Sequence, residues 1–276
     1  MFAIWAPLYL CLSISPSYGA ESVDGCKETV DTVYPTFPFQ ATGTDVDNQR
    51  NRDSIGGLSN LKINDTDEQK RIKDVTVFYP AGSYDPGSMK QQGLPYGGIG
   101  FKSRLKQGVE CLILTYELKF DENFVFVKGG KLPGLFGGIG NSGGKIPNGH
   151  DGFSVRFIWK EQGKGAAYAY LPNSKTWGTA LGTGSWTFTV GSWHRIEQKV
   201  KLNTPGQSDG EITVWYDNML VHTSKGLVFR DTEKLKIEGL MFSTFFGGNN
   251  ATFATPVDTH IEFRNFAMSS RRITGQ

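Results

Sequence analysis

Three observations predict an all-β fold in which antiparallel strands pack as a sandwich or jelly roll. Glycine accounts for 35 of the 276 residues, about 13%, against a usual share of roughly 7%. Aromatic residues make up a further 13%. From about residue 74 onward, most segments alternate apolar and polar side chains, the period of a half-buried strand. A helix bundle is disfavoured, because each glycine costs a helix about 1 kcal/mol.

The segment Cys111–Phe120 shows this alternation most clearly. Leu112, Leu114 and Tyr116 would lie on one face, whereas Thr115 and Glu117 would lie on the other. Glycine-rich spacers separate the predicted strands. These strands are Asp74–Tyr79, Cys111–Phe120, Asn123–Lys128, Gly152–Lys160, Ala166–Leu171, Trp186–Val190, His194–Leu202, Glu211–Tyr216, Met219–Thr223, Leu235–Ser243 and Thr259–Met268. We expect residues 41–70 to form a loop over one edge and the tail from Ser269 to fray.

The N-terminus has the pattern of a secretory signal peptide. Residues 1–20 carry no charged side chain, and an apolar run over Phe2–Ile14 is followed by small residues. This run is too short for a membrane-spanning helix, which needs about 20 residues. The sequence therefore predicts that residues 1–19 are removed, that 20–276 form a single β-jelly-roll domain, and that the protein is extracellular and not membrane-bound.

Cysteine usage fits this location. Removal of Cys11 with the signal peptide leaves Cys26 and Cys111, an even pair that predicts a disulfide in an oxidising compartment. The alternative is two buried free thiols. Asn64 and Asn250 each begin an Asn-x-Thr acceptor for N-glycosylation.

Charge and motif content exclude several classes of function. The net charge of +2 does not indicate a nucleic-acid partner, although a basic groove on a near-neutral body is compatible with it. The four histidines are isolated, and the chain contains no zinc, EF-hand, P-loop or serine-hydrolase motif. We therefore expect no metal and no cofactor. A sandwich glycosidase is also disfavoured, because no predicted strand presents two neighbouring carboxylates.

A basic and phenolic cluster is predicted instead on the hairpin centred near Gln162. This hairpin would place Arg156 opposite Tyr168 and Ser154 opposite Tyr170, and residues directly opposite share a face. Two lysines, Lys128 and Lys131, flank a pair of glycines just upstream. The alternative to a functional site is an ordinary exposed sheet face.

The motifs around these residues resemble polysaccharide lyase family 14, which contains alginate lyases and related glucuronate-cleaving enzymes. The resemblance covers roughly residues 75–268. It is carried by KGGKLPGLFGG at Lys128–Gly138, GFSVRFIW at Gly152–Trp159, AYAYLP at Ala167–Pro172, WHRIEQKVKLNTPG at Trp193–Gly206 and FSTFFGG at Phe242–Gly248. It implies a concanavalin A-like jelly roll with a concave substrate groove. It also implies a monomeric enzyme that acts on an acidic polysaccharide such as alginate.

The resemblance also implies the site residues. The catalytic set would be Lys131, Arg156, Tyr168 and Tyr170, and the substrate-binding set Ser154, Lys128 and His150. Lys128 is the alternative to Lys131 as the catalytic lysine. Gln198 falls on the apolar face of its strand, so we interpret it as structural.

The chemistry of β-elimination explains why this set is suitable. A uronate lyase removes the proton on C5, stabilises the resulting charge on the sugar carboxylate and protonates the leaving 4-oxygen. Arg156 can hold the carboxylate with Ser154 as an additional donor. Lys131 and one tyrosine, for which the sequence favours Tyr170, would share the base and acid roles, while Tyr168 positions the sugar. The alternatives are a glucuronan lyase and a non-catalytic, lectin-like sandwich.

Overall fold

The computed structural model describes residues 25–27, 30–34, 56–66 and 72–273. The predicted signal peptide at 1–19 lies outside these residues, as does most of the predicted loop at 41–70. In the described part of the chain, no helix is long and apolar enough to cross a membrane. The strands are β1 Leu61–Thr66, β2 Ile72–Tyr79, β3 Ile99–Val109, β4 Cys111–Phe120, β5 Gly129–Gly138, β6 Gly152–Lys160, β7 Gly165–Tyr170, β8 Thr179–Leu181, β9 Trp193–Lys201, β10 Gly210–Tyr216, β11 Met219–Leu227, β12 Ile237–Phe246 and β13 Thr259–Ser269, and the helix α1 spans Pro86–Gln91.

Two antiparallel sheets pack face to face, which confirms the predicted fold class. The seven-stranded sheet has the order β1-β2-β13-β4-β9-β10-β11, and the six-stranded sheet has the order β3-β12-β5-β6-β7-β8. The inner faces of both sheets form one hydrophobic core. We call the opposite side of the six-stranded sheet the groove face, because it carries the polar cluster described below.

Aromatic rings fill much of this core. The Phe120 ring on β4 makes edge-on contact with Trp159 on β6, with 5.8 Å between ring centroids. Phe242 on β12 packs against Phe263 on β13 at 5.2 Å. All four side chains are fully buried, and burying a large apolar side chain contributes about 1.5–3 kcal/mol. The alternating aromatics of the sequence therefore hold the two sheets together.

Several strand predictions were wrong. Asn123–Lys128 contains turns rather than a strand, and it supplies Phe124 to the core. Trp186–Val190 makes only isolated bridges, from Thr187 and Val190. The glycine-rich β5 and the strands β1, β3 and β8 were not predicted. Close packing explains the glycines of β5: a Cβ atom at Gly130 would lie 2.0 Å from the Trp159 ring.

The ends of the described chain meet on the seven-stranded sheet. Cys26 and Cys111 form a disulfide with their Cα atoms 5.6 Å apart. The Cys26 N–H donates to the Ser270 carbonyl at 2.7 Å. Arg272 forms an ion pair with the buried Glu197 at 2.8 Å. The expected fraying from Ser269 is therefore wrong up to residue 273, because the tail is paired with buried partners.

Candidate active site

The hairpin formed by β6 and β7 has the register that the sequence predicts. Arg156 pairs with Tyr168, and Ser154 pairs with Tyr170. The chain reverses at Glu161–Gly163, where Gln162 adopts a left-handed conformation with φ 63°. The four polar side chains therefore share the groove face, while the residues between them face the core.

Lys131 joins this cluster from the neighbouring strand β5. Its Nζ lies 4.9 Å from the centre of the Tyr168 ring, and the guanidinium carbon of Arg156 lies 6.0 Å from the same ring. Lys128 instead donates to Thr252 Oγ1 at 3.0 Å, at the turn that follows β12. Of the two candidate lysines, the structure places Lys131 in the cluster.

The two cations of the cluster are poorly solvated. Burial, and secondarily the nearby Arg156 charge, lowers the pKa of Lys131 to about 7. Arg156 is 3% exposed, and its Nη1 donates to Ser243 Oγ at 3.2 Å. Its Nε has no hydrogen-bond partner in the structure, and neither cation forms an ion pair with a carboxylate of the described residues. Because an unpaired buried charge is costly, this arrangement favours an anionic ligand.

The two tyrosines differ in exposure. Tyr168 is half-buried, and burial together with the Tyr170 neighbour raises its pKa above the ordinary value of 10. Tyr170 is only 1% exposed, and its hydroxyl oxygen accepts from the Gly144 N–H at 3.1 Å. The rings meet edge to face with centroids 5.6 Å apart. Tyr168 is therefore the protonated phenol that faces the groove, and Tyr170 holds it in place.

Ser154 and His150 both form hydrogen bonds with the loop between β5 and β6. The Ser154 hydroxyl is fully buried and donates to the Asn141 carbonyl at 2.6 Å, so it ties β6 to the loop between β5 and β6. His150 is exposed in that loop, and its backbone N–H donates to Asn148 Oδ1 at 2.9 Å. This geometry supports a loop-holding role for Ser154 and a position for His150 on the loop surface.

A groove of about 460 Å³ lies over β3 and β12, and its lining includes Ser243, the hydrogen-bond partner of Arg156. Lys90, Lys102 and Lys145 line it, together with Asn141 and Ser243. Ser243 was not predicted from the sequence, although it lies within the FSTFFGG motif. The three groove lysines were not predicted either, because they come from distant segments. Among the described residues, no group of three or more His, Cys, Asp or Glu side chains is placed to hold a metal ion.

Comparison with known families decides the identity of this site. The sequence model of polysaccharide lyase 14 matches residues 67–266. The chain belongs to polysaccharide lyase family 14. This family 14 enzyme is accordingly a polysaccharide lyase, and the cluster on its groove face is the candidate active site.

Solved structures agree with this assignment. The marine PL-14 alginate lyase from Aplysia kurodai is 31% identical, with a TM-score of 0.70, over 87% of this chain and 98% of that chain. Alginate lyase vAL-1 from Chlorella virus shares the fold at 24% identity and a TM-score of 0.62, over 80% and 90% of the two chains. Alginate lyase Aly36B also shares the fold, at 22% identity and a TM-score of 0.65, over 80% of this chain and 87% of that chain. A comparison with curated protein sequences found no match.

Proposed function

We propose that this family 14 lyase cleaves alginate, a polymer of mannuronate and guluronate, by β-elimination. The observation that carries the proposal is the cluster of Lys131, Arg156 and Tyr168, in which two basic side chains border a phenol and neither forms an ion pair with a carboxylate of the described residues. Alginate presents one carboxylate per sugar, which would supply the missing anion. The 31% identity to the Aplysia kurodai alginate lyase supports alginate as the substrate.

In the proposed reaction, the neutral amine of Lys131 removes the proton from C5, next to the sugar carboxylate. The electrons of the C5–H bond form the C4–C5 double bond. The C4–O bond breaks, and the leaving oxygen takes its bonding electrons and a proton from the Tyr168 hydroxyl. Arg156 binds the carboxylate and stabilises the charge that develops on it. The products are a new chain end and a 4,5-unsaturated uronate, and no water is consumed.

The local environments support this assignment of base and acid. A lysine with a pKa of about 7 is substantially neutral at physiological pH and can accept a proton. A tyrosine with a raised pKa remains protonated and can donate one. The sequence favoured Tyr170 for this role. The structure supports Tyr168, because Tyr170 is only 1% exposed and its hydroxyl oxygen accepts from the Gly144 N–H.

The substrate is tested by mixing the purified enzyme with alginate, polymannuronate, polyguluronate and glucuronan in parallel while following ultraviolet absorbance. Elimination creates a double bond conjugated to the carboxylate, which absorbs, whereas hydrolysis does not. We expect an absorbance rise with alginate that is absent for Lys131→Ala. A rise with glucuronan alone would reassign the enzyme as a glucuronan lyase. Binding of polyuronate without any product would identify a lectin-like module.

The proposal includes secretion after removal of residues 1–19, as a monomer. N-terminal sequencing of the protein from the culture medium should begin at Ala20, and light scattering should give the mass of one chain.

We expect a glycan at Asn250, which is exposed. The Asn64 side-chain nitrogen donates to Asp74 at 2.9 Å and Thr76 at 2.8 Å, so a glycan there would break native hydrogen bonds. Glycopeptide mass spectrometry separates the two sites.

A further inference from the structure

Strand β5 changes the face of its side chains partway along its length. Lys131 and Leu135 are four residues apart, so an unbroken strand would place both on the same face. Leu135 is fully buried in the core, as is Leu132. Lys131 instead lies on the groove face, against Tyr168. The strand must therefore contain an extra residue between them.

The pairing register locates this β-bulge at Pro133. Leu132 pairs with Phe157, but Gly134 already pairs with Arg156, so β5 has one residue more than β6 at this point. Proline is tolerated there because a bulge residue does not need to donate an N–H. Glycine is required next to it, since a Cβ atom at Gly134 would lie 2.0 Å from the Val155 carbonyl oxygen.

Two side chains from the opposite sheet reach across the core to backbone groups next to the bulge. The Tyr116 hydroxyl, from β4, donates to the Pro133 carbonyl at 3.1 Å. The Gln198 Oε1, from β9, accepts from the Leu135 N–H at 3.1 Å. Both side chains are fully buried. They thus bind the strand on each side of the bulge.

Gln198 carries a further indication that this contact is specific. Its Nε2 is buried and has no hydrogen-bond partner among the described residues, and leaving such a group unpaired costs about 1–3 kcal/mol. An apolar residue at this position would avoid that cost. A purely structural core position is therefore a poor explanation, whereas a requirement for the acceptor oxygen next to the bulge accounts for the glutamine.

We propose that Tyr116 and Gln198 are positioning residues that fix the β5 bulge and thereby hold Lys131 on the groove face, against Arg156 and Tyr168. This inference rests on the proposed function and adds two residues to it that touch no substrate. They act through the backbone of Pro133 and Leu135. A shift of about 1 Å in a reacting group can reduce a rate by up to about 100-fold, so loss of either contact should be visible in catalysis.

The test uses Tyr116→Phe and Gln198→Met, which keep the size of each side chain and remove one hydrogen bond. Tyr216→Phe is the matched control, because its hydroxyl also donates to a backbone carbonyl at 3.1 Å, that of Thr187. Kinetics on alginate are measured well below the melting temperature of each variant. We expect kcat to fall about tenfold in the two test variants, with KM changed less than about twofold, and to be unchanged in the control.

A second readout does not depend on turnover. NMR titration of 13C-lysine-labelled protein follows the pKa of Lys131 directly, and we expect its midpoint to move in Tyr116→Phe and Gln198→Met and to stay fixed in Tyr216→Phe. Variants that melt earlier but keep both kcat and this midpoint would show a merely structural role and overturn the proposal. If the unaltered enzyme gives no product from any polyuronate, the proposed function fails instead, while the titration still tests the positioning.

Discussion

The pH dependence of the reaction is the most direct consequence of the site. If Lys131 is the base, only its neutral form is active. With a pKa of about 7, the neutral fraction rises from about 9% at pH 6 to about 91% at pH 8. We therefore expect kcat/KM for alginate to increase about tenfold across this interval and then to level off. A lysine with its ordinary pKa, near 10.4, would show no plateau in this range.

The perturbation that identifies the titrating group is Arg156→Met. The Arg156 charge contributes to the low pKa of Lys131, second to burial, so its removal should move the rising limb of the profile to higher pH. Activity falls as well, because the sugar carboxylate loses its partner. The assay is the initial rate of ultraviolet absorbance increase at saturating and subsaturating alginate, between pH 5.5 and 9.5. Lys128→Ala serves as the control, since Lys128 lies at Thr252.

Three results would refute this reasoning. The first is a rate that is flat or falls between pH 6 and pH 8. The second is an unchanged midpoint in Arg156→Met. The third is a Lys131→Ala variant that keeps wild-type kcat. Any one of these would show that Lys131 is not the base whose neutral form limits the reaction.

Three further predictions follow from the same contacts. Tyr168→Phe should lower kcat by about 100-fold to 10,000-fold with little change in KM, and equal activity to wild type would exclude it as the acid. Ser243→Ala removes the 3.2 Å contact to Arg156 and should raise KM more than it lowers kcat in steady-state kinetics. Lys131→Met should raise the free energy of unfolding by about 2–4 kcal/mol below pH 7, measured by urea unfolding, after an allowance for partial exposure. Because the pKa of Lys131 is depressed in the folded state, this stabilisation should fade as pH rises from 7 towards 10.5. A stabilisation that grew with pH would contradict the burial argument.

The sequence could predict the catalytic hairpin because its signals are local. Ser154 and Arg156 alternate with core residues, as do Tyr168 and Tyr170, and the short turn around Gln162 leaves one register that keeps both patterns. The fold class followed from the same alternation in strands such as β4. These are properties of neighbouring residues, so a single sequence carries them.

Strand β5 shows where such reasoning fails. Its glycines predict loops. In the structure, Gly130 lies within the strand, and a larger residue would clash there because a Cβ atom would lie 2.0 Å from the Trp159 ring. The bulge at Pro133 also breaks the alternation that would reveal a strand. The family resemblance already favoured Lys131 over Lys128, but the contact of Lys131 with Tyr168 and that of Ser243 with Arg156 are seen only in the structure. These are contacts between strands distant in sequence, which no local pattern encodes.

The unequal exposure of the basic residues has a consequence for ionic strength. Lys90 and Lys145 are exposed on the rim of the groove, whereas Arg156, which donates to the groove residue Ser243, is 3% exposed. The screening length of salt shrinks from about 8 Å at 0.15 M to about 3 Å at 1 M, and it acts mainly on solvated charges. Added salt should therefore weaken the capture of a polyanionic chain by the rim while leaving the charges that act during bond cleavage largely unscreened. The rate of substrate binding would then fall with added salt, while the rate of bond cleavage would change little.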